Sequence, residues 1–280
     1  MRLSELEEAN ARTLAHSTIV RPVAAGEIIR VHRKKHPFRG YVEIDSPYCP
    51  PFVMFCVNDD AVALETLWNG HFGYEPGSLG TWARLAAKSE TIADVGAHVG
   101  YFSMIAALAN PAAKVHSFEP VDMIHARLAV NVRSNGASNV KRYQAGVSSE
   151  AGWADISVRF SANLLSTGSS LEMVPDGAEL KRIQLMKLDE VFADKKLDLM
   201  KIDVEGHEMS VLKGARQVLK RDRPHVILEA LVNAPLDPLL DEFGPLGYDC
   251  HWIAEADGSL VPSTADRPKG TRNLLFTPRD

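Results

Sequence analysis

A chain of 280 residues that is 45% hydrophobic and 24% charged has the composition of a soluble globular protein with one large core, or one core plus an appendage. A net charge of −5 and a pI near 6.1 exclude the basic stripe of a nucleic-acid or anionic-membrane binder and favour small or neutral substrates. No apolar run reaches the roughly 20 residues of a membrane span, the polar start MRLSELEEAN is unlike a signal peptide, and Cys49, Cys56 and Cys250 lack zinc or disulfide spacing. The expectation is a cytoplasmic protein with no membrane partner.

In chain order, Leu3 to His16 reads as helix, Tyr41 to Ile44 and Phe52 to Val57 as short strands, and Ala61 to Trp68 as helix. This stretch lacks a βα alternation, so residues 1–88 are expected to form a cap region, with a Rossmann-like domain over 89–280. From Thr91 short apolar strands alternate with amphipathic helices, the signature of a mostly parallel sheet covered on both faces. Strands are expected at Thr91–Val95, Lys114–Phe118, Val140–Ala145, Leu197–Ile202 and His225–Ala230, and helices at Tyr101–Ala109, Asp122–Asn135 and Glu208–Leu219. Ser148 to Ile183 is polar and long and reads as a binding loop. Tyr248–Ile253 and Thr271–Phe276 read as strands around a turn-rich stretch, giving the sheet an antiparallel finish. The fold class is therefore α/β.

The first strand ends in Asp94, Gly96 and Gly100 bracket a turn, and Tyr101 opens an apolar helix (DVGAHVGYFS). In doubly wound sheets the ligand lies beyond the carboxyl ends of the strands, where glycine lets the backbone approach it. A dinucleotide fingerprint needs G-x-G-x-x-G, but His98 and Tyr101 stand where the second and third glycines would be. A loop beginning with an acid suits S-adenosylmethionine, which has no phosphate and carries an ammonium and a sulfonium; Asp94 is placed for its amino-acid end. One βα unit later, VHSFEP puts Glu119 at a strand end, where an acid accepts ribose hydroxyls. Ala145 and Val147 would flank the adenine, with Gln144 as a polar contact.

Asp203, Glu205, His207 and Glu208 fall within six residues of KIDVEGHE at the fourth strand end. Strand ends of this sheet open on one crevice, so Asp203 and Glu205 should converge with Asp94 and Glu119. Candidates for a general base are Glu205, Asp203 and His207, with Glu205 favoured; Glu208 suits the positive helix end. Asp203 and Glu229, on neighbouring strand ends, are oxygen donors suited to Mg²⁺, the competing reading being a shared proton or a pair with Lys201 or Arg223. Asn163, Ser166, Ser169 and Ser170 are candidate contacts for a hydroxylated acceptor, and Trp68, Phe72 and Tyr74 candidate walls. No role is assigned to His32, His36 or the basic run Arg30–Lys35.

Through DVGAHVGYFS, the FEP after the second strand, KIDVEGHE and VLKGA, the sequence resembles the FkbM family of S-adenosylmethionine-dependent methyltransferases over roughly Tyr74 to Leu231. The resemblance implies a Rossmann-like class I methyltransferase domain, with cofactor contacts at Glu75, Asp94, Gly96, His98, Gly100, Tyr101, Ser103, Glu119, Pro120, Ala145 and Asp203. It also implies methyl transfer to a hydroxyl of a small molecule or carbohydrate. An Asn/Asp-Pro-Pro-Tyr type motif of amino-group methyltransferases is absent, which favours hydroxyl chemistry and no nucleic-acid partner. A nicotinamide-dependent oxidoreductase and a non-catalytic adenosyl-ligand binding module are the competing readings. Leu3, Leu6 and Leu14 give the N-terminal helix a face for packing in a homo-oligomer.

Overall fold

The computed structural model describes residues 2–20, 31–158, 165, 168–231 and 235–279. Ahead of the βα alternation lie helices α1 (Leu3–Val20), α2 (Arg33–Lys35), α3 (Ala61–Asn69) and α4 (Pro76–Ala86) and an antiparallel pair expected to cap the sheet, β1 (Gly40–Ile44) and β2 (Phe52–Cys56). Then follow β3 (Thr91–Val95), α5 (Tyr101–Ala109), β4 (Lys114–Phe118), α6 (Asp122–Ser134) and β5 (Val140–Tyr143). Three strands come next, β6 (Gly146–Val147), β7 (Gly152–Val158) and β8 (Glu179–Met186), before α7 (Leu188–Val191), β9 (Leu199–Ile202), α8 (Glu208–Gly214), α9 (Arg216–Asp222) and β10 (His225–Glu229). The chain closes with α10 (Asp237–Phe243), β11 (Tyr248–Ile253), β12 (Leu260–Pro262) and β13 (Asn273–Pro278).

The central sheet has the order β12-β11-β13-β10-β9-β3-β4-β5, parallel from β10 to β5 and antiparallel through β13, β11 and β12. It is the mostly parallel sheet with an antiparallel finish that the alternation of short apolar strands predicts. Side chains alternate between its faces. Ile92, Val115, Leu199 and Ile227 enter one buried cluster with α4, α5 and the cap strands, while Ala93, Met200, Ile202, Val226 and Leu228 enter the other beneath α8 and α9. Burial on both faces is why these strands read as nearly continuous apolar runs.

The cap strands are fastened to the first face by side chains. Asn131 on α6 accepts from the Phe55 amide at 2.8 Å, and Asn135 accepts from the Val53 amide at 2.8 Å while donating to its carbonyl at 2.7 Å. Two amide side chains thus satisfy backbone groups of β2 that no neighbouring strand pairs on that side. Trp82 on α4 is fully buried and donates to the Phe102 carbonyl at 2.9 Å, locking α4 against α5.

Three expectations are corrected. Ser148 to Ile183 is not simply a loop: β7 and β8 pair antiparallel within it, β6 pairs with β8, and together they form a third sheet. The strand expected over Val140–Ala145 stops at Tyr143, and Gly146–Val147 joins that third sheet. The helix expected over Glu208–Leu219 is broken at Ala215, where Gly214 packs so tightly on Ser148 that a Cβ would lie 2.0 Å from its carbonyl oxygen.

Candidate functional site

Strand order reverses between β3 and β9, and the crevice at their carboxyl ends is where ligands bind in sheets of this type. A cavity of about 470 Å³ lies there, within the usual range for small-molecule sites. Asp94, Gly96, His98, Tyr101, Glu119, Pro120, Ala145, Asp203, Glu205, His207, Glu229 and Glu75 all line it.

The loop after β3 is shaped for close approach. Gly96, His98 and Gly100 all have left-handed backbones, with φ of 83°, 50° and 92°. A Cβ on Gly96 would stand 1.7 Å from the carbonyl oxygen of Asp203, so glycine is what lets the loop lie against the end of β9. Gly100 does not line the cavity; it precedes α5, and a Cβ there would meet Leu128 Cδ1 at 2.3 Å.

Asp94 is buried, and its Oδ2 accepts from the Ser103 hydroxyl at 2.6 Å. Ser103 has one proton to give, so the Ser117 hydroxyl, 2.6 Å away, donates to Ser103. Ser103 is therefore a support for Asp94 and does not itself line the cavity. Oδ1 of Asp94 is buried without a hydrogen-bond partner among the described residues. Such an atom asks for a donor, and an ammonium is one that fits.

Glu119 is held by its own backbone surroundings: Oε2 accepts from the His98 amide at 3.0 Å and Oε1 from the Val121 amide at 2.8 Å. Burial nevertheless pushes its carboxyl up to about 7. Each oxygen accepts one of these bonds and keeps capacity for another, which suits a diol. Ala145 and Val147 line the neighbouring wall with Phe118 and Ile124, whereas Gln144 is exposed and outside it.

On the other side of the switch point, Lys201 Nζ lies 2.6 Å from Asp203 Oδ2 and 4.4 Å from the centre of the Phe102 ring. Burial pulls this ammonium down, but Asp203, Glu75 and Asp94 outweigh it and hold it above the ordinary lysine value. Burial likewise pushes Asp203 up, but Lys201 and the hydrogen bonds from Glu229 and Lys201 bring it below its ordinary value. Glu229 goes the other way: burial and the Asp203 charge raise it strongly, and its Oε2 is buried with no hydrogen-bond partner among the described residues. Two carboxyls so placed oppose each other's ionisation, and Glu229 is the one raised.

Asp203, Glu205 and Glu229 bring carboxylate oxygens within 4.8 Å of one another. The set does not fit Mg²⁺. The position of a cation beside Asp203 is taken by the Lys201 ammonium, 2.6 Å from Oδ2. Arg223 is not a partner here; it donates to the carbonyls of Gly247 and Arg279.

Glu205 has a left-handed backbone, with φ of 52°, that turns its side chain into the cavity; its carbonyl accepts from the Ser170 hydroxyl at 2.8 Å. Burial, and then the charge of Asp203, pushes its carboxyl up to about 7. His207 also lines the cavity, but both ring nitrogens are engaged, Nδ1 at 2.6 Å from Glu172 and Nε2 at 2.9 Å from the Ser148 hydroxyl. With Glu172 accepting from Nδ1–H, Nε2 is left to accept the serine proton. Glu208 turns back to accept from the Gly206 amide at 3.0 Å, at the start of α8.

Several wall residues escape sequence reasoning. Ala61, Val62 and Glu65 come from α3, and Glu255, Gly270, Arg272 and Asn273 from the C-terminal segment. Asn273 donates to Glu75 Oε2 at 3.0 Å and to Ser78 at 2.9 Å, while Glu255 accepts from the Gly77 and Ser78 amides at the start of α4. Strand pairing could have revealed Asn273, since it sits opposite Glu229. Of the expected loop contacts, Ser169 lines the cavity and Ser170 positions Glu205, while Asn163 and Ser166 lie outside the described residues, as does Arg30. Tyr74 is a wall; Phe72 is largely exposed and Trp68 is buried elsewhere.

The chain is 31% identical over 155 residues to the 31-O-demethyl-FK506 methyltransferase FkbM of Streptomyces tacrolimicus, covering 45% of this chain and 59% of that protein. It is 32% identical over 155 residues to the hexuronic acid methyltransferase AglP of Haloferax volcanii, covering 55% of this chain and 60% of the relative. It thus spans about six-tenths of the length of these relatives. A SAM-dependent methyltransferase from Agrobacterium tumefaciens shares the fold at a TM-score of 0.51 and 11% identity, over 88% of this chain and 72% of that one. Residues 94–248, more than half of the chain and including the Asp94 loop, Glu119 and the Asp203–Glu208 strand end, match the FkbM domain. The chain belongs to the methyltransferase FkbM domain family.

Proposed function

We propose that this chain is an S-adenosylmethionine-dependent methyltransferase that methylates a hydroxyl group of a small molecule or sugar. The observation that carries the reading is the buried Asp94 Oδ1, which has no hydrogen-bond partner among the described residues, on a side chain that lines the same cavity as Glu119 and Glu205. When bound, the cofactor supplies a methyl group activated by a sulfonium. Asp94 takes the ammonium of its amino-acid end, Glu119 the ribose hydroxyls, and Ala145 and Val147 pack on the adenine. The relative named as a 31-O-demethyl-FK506 methyltransferase supports an oxygen acceptor, and the one named as a hexuronic acid methyltransferase supports a sugar as the acceptor class.

Glu205 is the proposed general base. Its side chain lines the cavity, and its carboxyl is pushed up to about 7, near neutrality, where a base is most effective. His207 keeps the Glu205 turn in place through its two hydrogen bonds, and the Lys201–Asp203 pair fixes the floor between cofactor and acceptor. Alignment of the acceptor oxygen supplies the rest of the acceleration. No step passes through Mg²⁺.

The reading is tested by calorimetric titration of the purified chain with S-adenosylhomocysteine, repeated on Asp94→Ala and Glu119→Ala. Micromolar binding lost in both variants is the expected result. A folded wild-type chain that binds neither S-adenosylhomocysteine nor S-adenosylmethionine overturns the proposal.

A further inference from the structure

Far from the cofactor loop, His16 on α1 and His32 and His36 at either end of α2 bring ring nitrogens within 4.8 Å of one another. His32 and His36 are four residues apart on one helical turn, closed by a 2.7 Å hydrogen bond from the His36 amide to the His32 carbonyl. That spacing places two imidazoles on one face, the arrangement in which histidine pairs grip a metal. His16 comes in from the neighbouring helix, its ring 4.0 Å from that of His36.

The frame around the three rings is built. Asn10 donates to the Arg39 carbonyl at 2.7 Å and accepts from its amide at 3.0 Å, and Thr13 donates to the Pro37 carbonyl at 3.2 Å. These bonds hold α1 against the chain just beyond His36. Arg33 donates to the Asn58 carbonyl at 2.7 Å, and Asn58 returns a bond to the Arg33 carbonyl at 3.2 Å. Trp68, fully buried on α3, forms the floor, with its ring 4.6 Å from His32.

Packing of aromatic rings alone leaves a defect. His32 Nδ1 is buried and has no hydrogen-bond partner among the described residues. A buried polar atom of this kind costs free energy unless something completes it. Three nitrogens with no carboxylate among them select a borderline transition-metal dication over Mg²⁺ or Ca²⁺. The rings are half-buried, which leaves a fourth tetrahedral position open to water.

We propose that His16, His32 and His36 form a Zn²⁺-class metal site that pins α1 to α2 and, through Trp68, steadies α3. Because Ala61, Val62 and Glu65 of α3 line the large cavity, a metal here stiffens one of its walls without touching the reacting groups. The site is independent of the methyl-transfer reading.

The test uses the full chain, freed of affinity tag and stripped with chelator, titrated with Zn²⁺ alone by calorimetry and with Co²⁺ by visible absorption. Expected are one Zn²⁺ per chain, an intense tetrahedral Co²⁺ spectrum, and affinity weakened more than about tenfold in His16→Gln and in His36→Gln. Asp203→Asn should leave uptake unchanged, which separates this site from the acidic cluster. Circular dichroism establishes that each variant is folded. A folded wild-type chain that takes up no Zn²⁺, or uptake that both histidine variants retain in full, overturns the proposal.

Discussion

Lys201, buried, and Asp203, 21% exposed, form an ion pair of 2.6 Å across the end of a single strand, and this pair sets the electrostatics of the whole cavity floor. Its ammonium is 3% exposed and is the counterion not only of Asp203 but also of Glu75 and Asp94. Lys201→Met keeps the length of the side chain while stranding those carboxylates. Removing one partner of a buried pair is strongly destabilising, so urea unfolding should show a loss of about 3 kcal/mol or more.

Ser103 touches no ligand in the proposed complex, yet it holds Asp94 in place. Ser103→Ala removes a hydrogen bond to a charged group, worth about 1.5–3 kcal/mol. Calorimetry should show S-adenosylhomocysteine binding weakened by roughly 10-fold to 100-fold, with the circular dichroism spectrum unchanged.

If Glu205 is the base, kcat/KM falls as pH drops below about 7, because the carboxyl must be ionised to accept the acceptor's proton. Glu205→Gln should cost about 10²–10⁴-fold and abolish that limb. His207→Gln should lower the rate and leave the limb where it was, since both histidine nitrogens are already committed. A limb that persists in Glu205→Gln sinks the assignment.

Glu75, Glu119 and Glu205 are all raised by burial from 4.5 to about 7. The native state therefore holds protons that the unfolded chain releases, and the stability these groups contribute is present below pH 4.5 and lost as pH rises to 7. Asp203, lowered below its ordinary value, acts in the opposite sense at more acidic pH. His116, lowered by burial from 6.5 to about 4, opposes this loss up to pH 6.5; from there to about pH 8 Tm without ligand should fall as the raised carboxyls finish ionising, and S-adenosylmethionine, a cation, should restore it. A Tm that rises across the same interval contradicts the shifts.

The loop glycines should differ in cost. Gly96→Ala forces a Cβ against a backbone oxygen at the end of β9, whereas Gly100→Ala meets the movable tip of Leu128. Both also place alanine at positive φ. Equilibrium unfolding should rank Gly96→Ala as the more damaging, by about 2 kcal/mol or more.

Much of this architecture is legible in the sequence. Strands buried on both faces announce themselves as apolar runs, and β3, β4 and α5 fall where those runs place them. Side chains at strand ends were equally readable, because the parallel topology directs them to one crevice. The third sheet was not: β7 is mostly exposed at its start, alternates poorly, and its partner β8 lies far along a polar stretch. Helix α4 begins Pro-Gly-Ser and carries a glycine inside it, which masks a helix whose stability comes from burying Trp82. Arg272 and Glu255 carry no local signal, since only long-range pairing brings their segment to the cavity.

The last strand has a consequence for how the protein is made. β13 lies between β10 and β11, although both precede it in the chain. A ribosome must therefore release residues beyond Asn273 before the sheet can close, and Glu75, synthesised some 200 residues earlier, waits all that time for its hydrogen-bond partner. The nascent chain can form the β3–β5 half early, but its ligand pocket is completed only once β13 has emerged to pair with β10 and β11.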